Sequence, residues 1–142
     1  MTDKLKKAKT ILQNGGHTCV LYNGSEILHS DTRGVAPLLG WLESDRDFSS
    51  FSAADKVIGK AAAMLYVLIG IKEVYADVIS KYATDVFEKH GIEYYYTQRV
   101  DAIRNRTDTG FCPMEEATLD IDEPTDALTA IKSKLEQLKK RD

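Results

Sequence analysis

The chain has 142 residues, of which 43% are apolar and 29% charged, the size and mix of one compact domain spanning 1–142. Nineteen basic residues face 22 acidic ones, and the net charge of −3 argues against a broad nucleic-acid-binding face. The charged start "MTDKLKKAKTILQNGG" has no apolar signal core, and no run approaches the roughly 20 apolar residues of a membrane helix. The expected setting is therefore cytoplasmic, with neither membrane nor nucleic acid as a partner.

Leu5, Ala8, Ile11 and Leu12 recur at helical spacing and predict a helix over 3–14, stopped by Asn14-Gly15-Gly16. In "HTCVLYNGSEILHSD" two apolar stretches flank Asn23-Gly24, which predicts strands at 17–22 and 25–30 joined by a type I′ turn. A short helix is expected over 35–42, with Pro37 in its first turn and the single Trp, Trp41, on it. A polar loop follows from Ser44 to Ser50.

Ser52 reads as an N-cap with Asp55 three positions on, close to a capping box. The apolar face Ala54, Ile58, Ala61, Ala62, Leu65, Leu68 and Ile69 then predicts one helix ending at Gly70. "EVYADVIS" predicts a buried parallel strand, "KYATDVFEKHG" a helix closed by Gly91, and "IEYYYTQRV" a further strand. Pro113, with Glu115 and Glu116 behind it, marks another helix start. A final helix carries Ala127, Leu128, Ile131, Leu135 and Leu138 on one face. The fold class is α/β: three layers, a mixed sheet opening with an antiparallel hairpin, and helices on both faces.

Two cysteines, Cys19 and Cys112, lie far apart, and the histidines (His17, His29, His90) are scattered, so the spacing gives no zinc motif. No metal and no cofactor is expected.

The blocks "SAADKVIGKAAAMLY", "VYADVISKYA", "GIEYYYTQRV" and "NRTDTGFCPMEEA" resemble, in that order, an uncharacterised family of small prokaryotic proteins, a domain of unknown function. The resemblance covers about residues 5–135 and implies a cytidine-deaminase-like fold. It does not carry deaminase chemistry with it. A deaminase has H-x-E or C-x-E at the start of its central helix and P-C-x-x-C after the next strand. The corresponding places here read Ala54-Asp55-Lys56 and Ser80-Lys81-Tyr82-Ala83, without a thiolate or an imidazole.

In open α/β sheets ligands bind beyond the carboxyl ends of parallel strands. That rule selects Asp55 and Lys56 at one lip of an expected pocket and Ser80 and Lys81 at another. Lys56 opposes the dipole of the helix it is expected to start. Arg104, Asn105, Arg106 and Thr109 form a polar loop suited to phosphate or carboxylate. Cys112 precedes a helix start, where backbone N–H groups favour a thiolate, and Glu115 stands three residues on as a base or hydrogen-bond acceptor. The expected catalytic set is Cys112, Lys56 and Glu115, although a packed cap cysteine fits the same sequence.

Two functions stay open. One is an enzyme with a zinc-free, deaminase-like pocket acting on a small anionic or nucleotide-like molecule. The other is a non-catalytic ligand-binding or regulatory module. The apolar last helix and the Tyr-rich strand also offer a homodimer face.

Overall fold

A computed structural model describes residues 1–105, 107 and 110–140, the side chain of residue 140 excepted. Helix α1 (Asp3–Gly15) starts at Thr2, whose hydroxyl accepts from the Leu5 N–H at 3.1 Å. Strands β1 (Cys19–Tyr22) and β2 (Ile27–Ser30) form the expected antiparallel hairpin. Its turn sits one residue later than predicted, on Gly24 and Ser25. Tyr22 pairs with Ile27, only Gly24 has positive φ (103°), and the Asn23 side chain accepts from the Ser25 and Glu26 N–H groups. Asn23 thus serves as a side-chain brace, and the glycine takes the left-handed position.

Helix α2 (Ala36–Glu43) has Pro37 in its first turn, as expected. Next come β3 (Ser52–Ile58), α3 (Lys60–Ile69), β4 (Glu73–Ser80), α4 (Lys81–Lys89), β5 (Glu93–Val100), α5 (Pro113–Thr118) and α6 (Pro124–Lys140). The sheet order is β2-β1-β3-β4-β5, with β1 antiparallel to β3 and β3, β4 and β5 mutually parallel.

One element departs from the sequence reading. Residues 52–58 form the central strand of the sheet, and the helix begins only at Lys60. Ser52 is therefore a buried strand residue rather than an N-cap, and Asp55 and Lys56 lie within β3 rather than at a helix start. The alanines mislead because they are the best helix formers. Pairing decides otherwise: this segment is hydrogen-bonded to β1 on one side and β4 on the other. Ala53 and Ala54 are fully buried on opposite faces, where small side chains let helices sit close to the sheet.

The helices do cover both faces. Among the described residues helix α1 alone packs against β1, β3 and β4 on one side, in a cluster of Leu5, Ala8, Leu12, Val20, Ala54 and Tyr75. On the other side α3 is central and contacts α2, α4, α5 and α6 over the larger core. Among the described residues no helix is long and apolar enough to cross a membrane.

Two buried polar ties hold the layers in register. At the amino end of the parallel strands, Glu73 accepts from the Thr2 hydroxyl (2.6 and 2.8 Å) and from the Ser52 hydroxyl (2.8 Å), fastening α1 to β3 and β4. In mid-sheet, Asp55 accepts from the Tyr66 hydroxyl at 2.7 Å and from the Val57 N–H at 3.2 Å, and the Cys19 thiol lies 3.1 Å from the same hydroxyl. Burial pushes the Asp55 carboxyl up to about 6 and raises the Cys19 thiol and the Tyr66 hydroxyl well above their ordinary values.

Candidate functional site

The carboxyl ends of β3 and β4 lead directly into α3 and α4, so two helix N-termini meet at this edge of the sheet. Gly59 precedes α3 and allows a close approach: a Cβ there would stand 3.1 Å from Glu115 Oε2 and from the Ile103 side chain. Glu115, 1% exposed, reaches in from α5. Its Oε1 accepts from the Lys60 N–H at 2.7 Å and from the Ser80 hydroxyl at 3.2 Å, and its Oε2 accepts from the Ile103 N–H at 2.8 Å. Ser80, fully buried, also caps α4 by accepting from the Ala83 N–H. Lys60 completes the arrangement: its ammonium donates to the Leu119 carbonyl at 2.7 Å, a cation at the C-terminal end of α5. The protein's own carboxylate thus occupies the helix N-terminus where an external anion would bind.

An open cleft lies beside this knot, at the ends of β4 and β5. It is lined by Lys81, Tyr82, Asp101, Ala102, Arg104 and Phe111. The Lys81 ammonium stands 5.3 Å from the centre of the Tyr82 ring. Arg104 and Phe111 form an isolated antiparallel bridge, and the Asn105 N–H donates to the Gly110 carbonyl at 2.9 Å, so the loop folds back on itself. The Asn105 side chain accepts from the Thr107 hydroxyl. A second cleft between α3 and α4 is lined by Lys60, Tyr82, Asp85, His90 and Asp122 among others.

The expected site residues therefore divide. Ser80, Lys81, Arg104, Asn105 and Glu115 gather around the ends of β4 and β5. Arg106 and Thr109 lie outside the described residues. Asp55 is buried in mid-strand against Tyr66 and Cys19, away from any lip. Lys56 is exposed on β3, opposes no helix dipole, and lines neither cleft. The lysine at the start of α3 is Lys60, which the sequence reading passed over because it placed the helix start seven residues too early. Glu115 is not paired with the Cys112 thiol, since both its oxygens are taken by other donors. Cys112 precedes α5, donates its N–H to the Ile103 carbonyl at 2.9 Å, and packs its side chain against the main core. Tyr82, Asp101 and Phe111 were also missed. Each is an ordinary residue in sequence; Tyr82 gains its place from the first turn of α4, and Asp101 and Phe111 from the segment after β5.

Under native conditions Cys112 is expected to alkylate faster than Cys19, read by mass spectrometry after timed iodoacetamide treatment. Cys19 is 5% exposed and its thiol is raised by burial, whereas Cys112 is half-buried. Faster labelling of Cys19 would contradict this packing. Activation of Cys112 itself is read against a free-thiol peptide, because any accessible thiol outpaces Cys19.

The family model for DUF1893, a domain of unknown function typified by TM1506, matches residues 7–135. The chain belongs to the DUF1893 family. A crystal structure of the DUF1893 protein TM1506 from Thermotoga maritima superposes with a TM-score of 0.88, covering 94% of this chain and 91% of that one at 24% identity. At that identity the likeness is one of fold: in this DUF1893 chain the layered sheet and its helices are shared with the Thermotoga protein. No curated protein matches the chain.

Proposed function

We propose that this DUF1893 protein is a binding module for a small anionic molecule with a planar, nucleotide-like part, held in the cleft at the ends of β4 and β5. One observation carries the reading: Lys81 and Arg104 share that cleft with the aromatic rings of Tyr82 and Phe111. Arg offers a planar fork for phosphate or carboxylate, Lys a compact charge, and the rings a stacking surface. Asp101 in the same cleft disfavours a bare polyanion and suits a ligand that also presents a hydroxyl or amino donor. The position is the one that open parallel sheets use for ligands.

The fold reading that goes with it is a cytidine-deaminase-like arrangement without the deaminase zinc. Its support is the antiparallel hairpin flanking three parallel strands, with α3 and α4 as crossovers. Because α3 starts at Lys60, the two stretches comparable to the deaminase metal loops are Gly59-Lys60-Ala61 and Ser80-Lys81-Tyr82-Ala83, and neither has a Cys or His. Binding is favoured over turnover because Glu115 has both oxygens committed to donors and Cys112 packs on the core.

Calorimetry with a panel of mononucleotides, beside native mass spectrometry of freshly purified protein, tests the reading. At least one mononucleotide is expected to bind, and the double variant Lys81→Ala/Arg104→Ala to weaken it by about tenfold or more, the loss of one to two charge-assisted contacts. A thermal melt of the variant beside the parent separates a loss of binding from a loss of folding. No binding up to millimolar concentration, with no retained small molecule, would overturn it.

A further inference from the structure

The three histidines are scattered in sequence, but the β1–β2 hairpin brings two of them together. Val20 pairs with His29 and Cys19 with Ser30, so His17, just before β1, comes alongside His29 and Asp31. The two imidazoles stack with ring centres 4.0 Å apart. Asp31 Oδ1 lies 2.6 Å from His17 Nδ1 and 3.6 Å from His29 Nδ1. One ligand atom from each residue falls within 4.8 Å of the others.

We propose that His17, His29 and Asp31 form a binding site for a divalent transition-metal ion of the zinc class. Zinc bonds imidazole nitrogen and carboxylate oxygen at about 2.0–2.2 Å, which in tetrahedral geometry places neighbouring ligand atoms about 3.3 Å apart. The two nitrogen–oxygen separations here, 2.6 and 3.6 Å, bracket that spacing. Small side-chain rotations complete the set. Two imidazoles with one carboxylate suit zinc, nickel or copper rather than calcium or magnesium, which prefer all-oxygen shells.

Two further features fit a cation. Helix α1 ends at Gly15 with no basic residue in its last turn, leaving the negative end of its dipole without a side-chain counter-charge. This end abuts the cluster: a Cβ on Gly15 would stand 2.5 Å from His17 Nε2. Only a glycine leaves the imidazole room to lie there, against the end of α1. Side-chain exposures of 18% for His17, 47% for His29 and 65% for Asp31 leave room for water to complete the coordination. The ion would tie the end of α1, the start of β1 and the end of edge strand β2. This site lies across the sheet from the cleft at the ends of β4 and β5 and does not depend on it.

The test is titration of the chelator-treated full chain with zinc chloride by calorimetry, at about pH 7.5 where free imidazole is neutral. One zinc per chain is expected, with a rise in melting temperature. His29→Ala and His17→Ala should each weaken binding by about tenfold or more and abolish that rise. Gly15→Ala should weaken it too while leaving both ligands in place, because its methyl group displaces the His17 ring. Binding unchanged in the His17→Ala/His29→Ala double variant would overturn the site. So would no binding below millimolar zinc, which leaves a simple His–Asp pair. A thiolate-to-metal charge-transfer band on adding cobalt(II) would likewise overturn it by identifying the cysteines as ligands.

Discussion

Replacing Glu115 with Ala is expected to lower the unfolding free energy by about 3–5 kcal/mol, the cost of leaving buried donors without their charged acceptor. Three groups lose their partner at once: the Lys60 N–H at the start of α3, the Ser80 hydroxyl that caps α4, and the Ile103 N–H in the loop after β5. The side chain is 1% exposed, so water does not replace it without a local opening. Set against a whole-domain stability of roughly 5–15 kcal/mol, this is a large fraction. Glu115→Gln keeps the shape and one carbonyl oxygen but turns an NH₂ toward a donor, and should lose about half as much. Urea unfolding of both variants reads the effect. A loss under about 1 kcal/mol in the Ala variant would mean that the knot at the helix starts is not holding α5 in place.

The second large effect is a pH dependence centred on Asp55. Burial holds its carboxyl up to about 6, against an ordinary value of 3.8, and the hydrogen bonds from Tyr66 and Val57 recover only part of that. The native state therefore binds this proton more tightly than the unfolded chain does. Its contribution to stability is complete below about pH 4, falls as pH rises to about 6, and is flat beyond, a total of about 3 kcal/mol. Asp55→Asn cannot ionise, and its amide can still face the Tyr66 hydroxyl. From pH 4 to 7 the stability difference should therefore move in favour of the Asn variant by about 2–3 kcal/mol. The other carboxyl groups titrate alike in both proteins and cancel in the difference. Urea midpoints at four pH values are sufficient, and a difference that stays constant with pH would refute the buried, proton-holding Asp55.

Much of the architecture was legible because period and punctuation agree. β4 runs from Glu73 to Ser80 as read, α4 and β5 follow within a residue or two, and Gly70 and Gly91 close their helices with positive φ. The central strand was not legible. Ser52-Ala53-Ala54-Asp55 has poor strand propensity and becomes a strand because two neighbours pair with it, a long-range cause that no local window contains. That single error carried Asp55 and Lys56 from mid-strand to a lip of the sheet and hid Lys60. Around the cleft, Ser80, Lys81 and Arg104 were legible because strand ends and basic loops have a positional signature. Tyr82, Asp101 and Phe111 were not, because their meeting depends on how the loop after β5 folds. The His17–His29 pair escaped for a related reason: they stand twelve positions apart, and only the hairpin register makes them neighbours.

The two sides of the sheet are guarded very unequally. On one side α3 and α4 pack on the strands, and α2, α5 and α6 pack in turn around α3. On the other side, among the described residues, α1 stands alone, held by Leu5, Ala8, Ile11 and Leu12, by Gln13 bonding Tyr75 and Asp77, and at its front end by Thr2, which both caps the helix and bonds Glu73. Loosening that first turn would peel the helix from its front end and bare Val20, Ala54 and Tyr75 together, a ready-made adhesive strip. A bulky fusion placed directly before Thr2 thus acts on this seam, while an extension at the far end of α6 leaves it untouched.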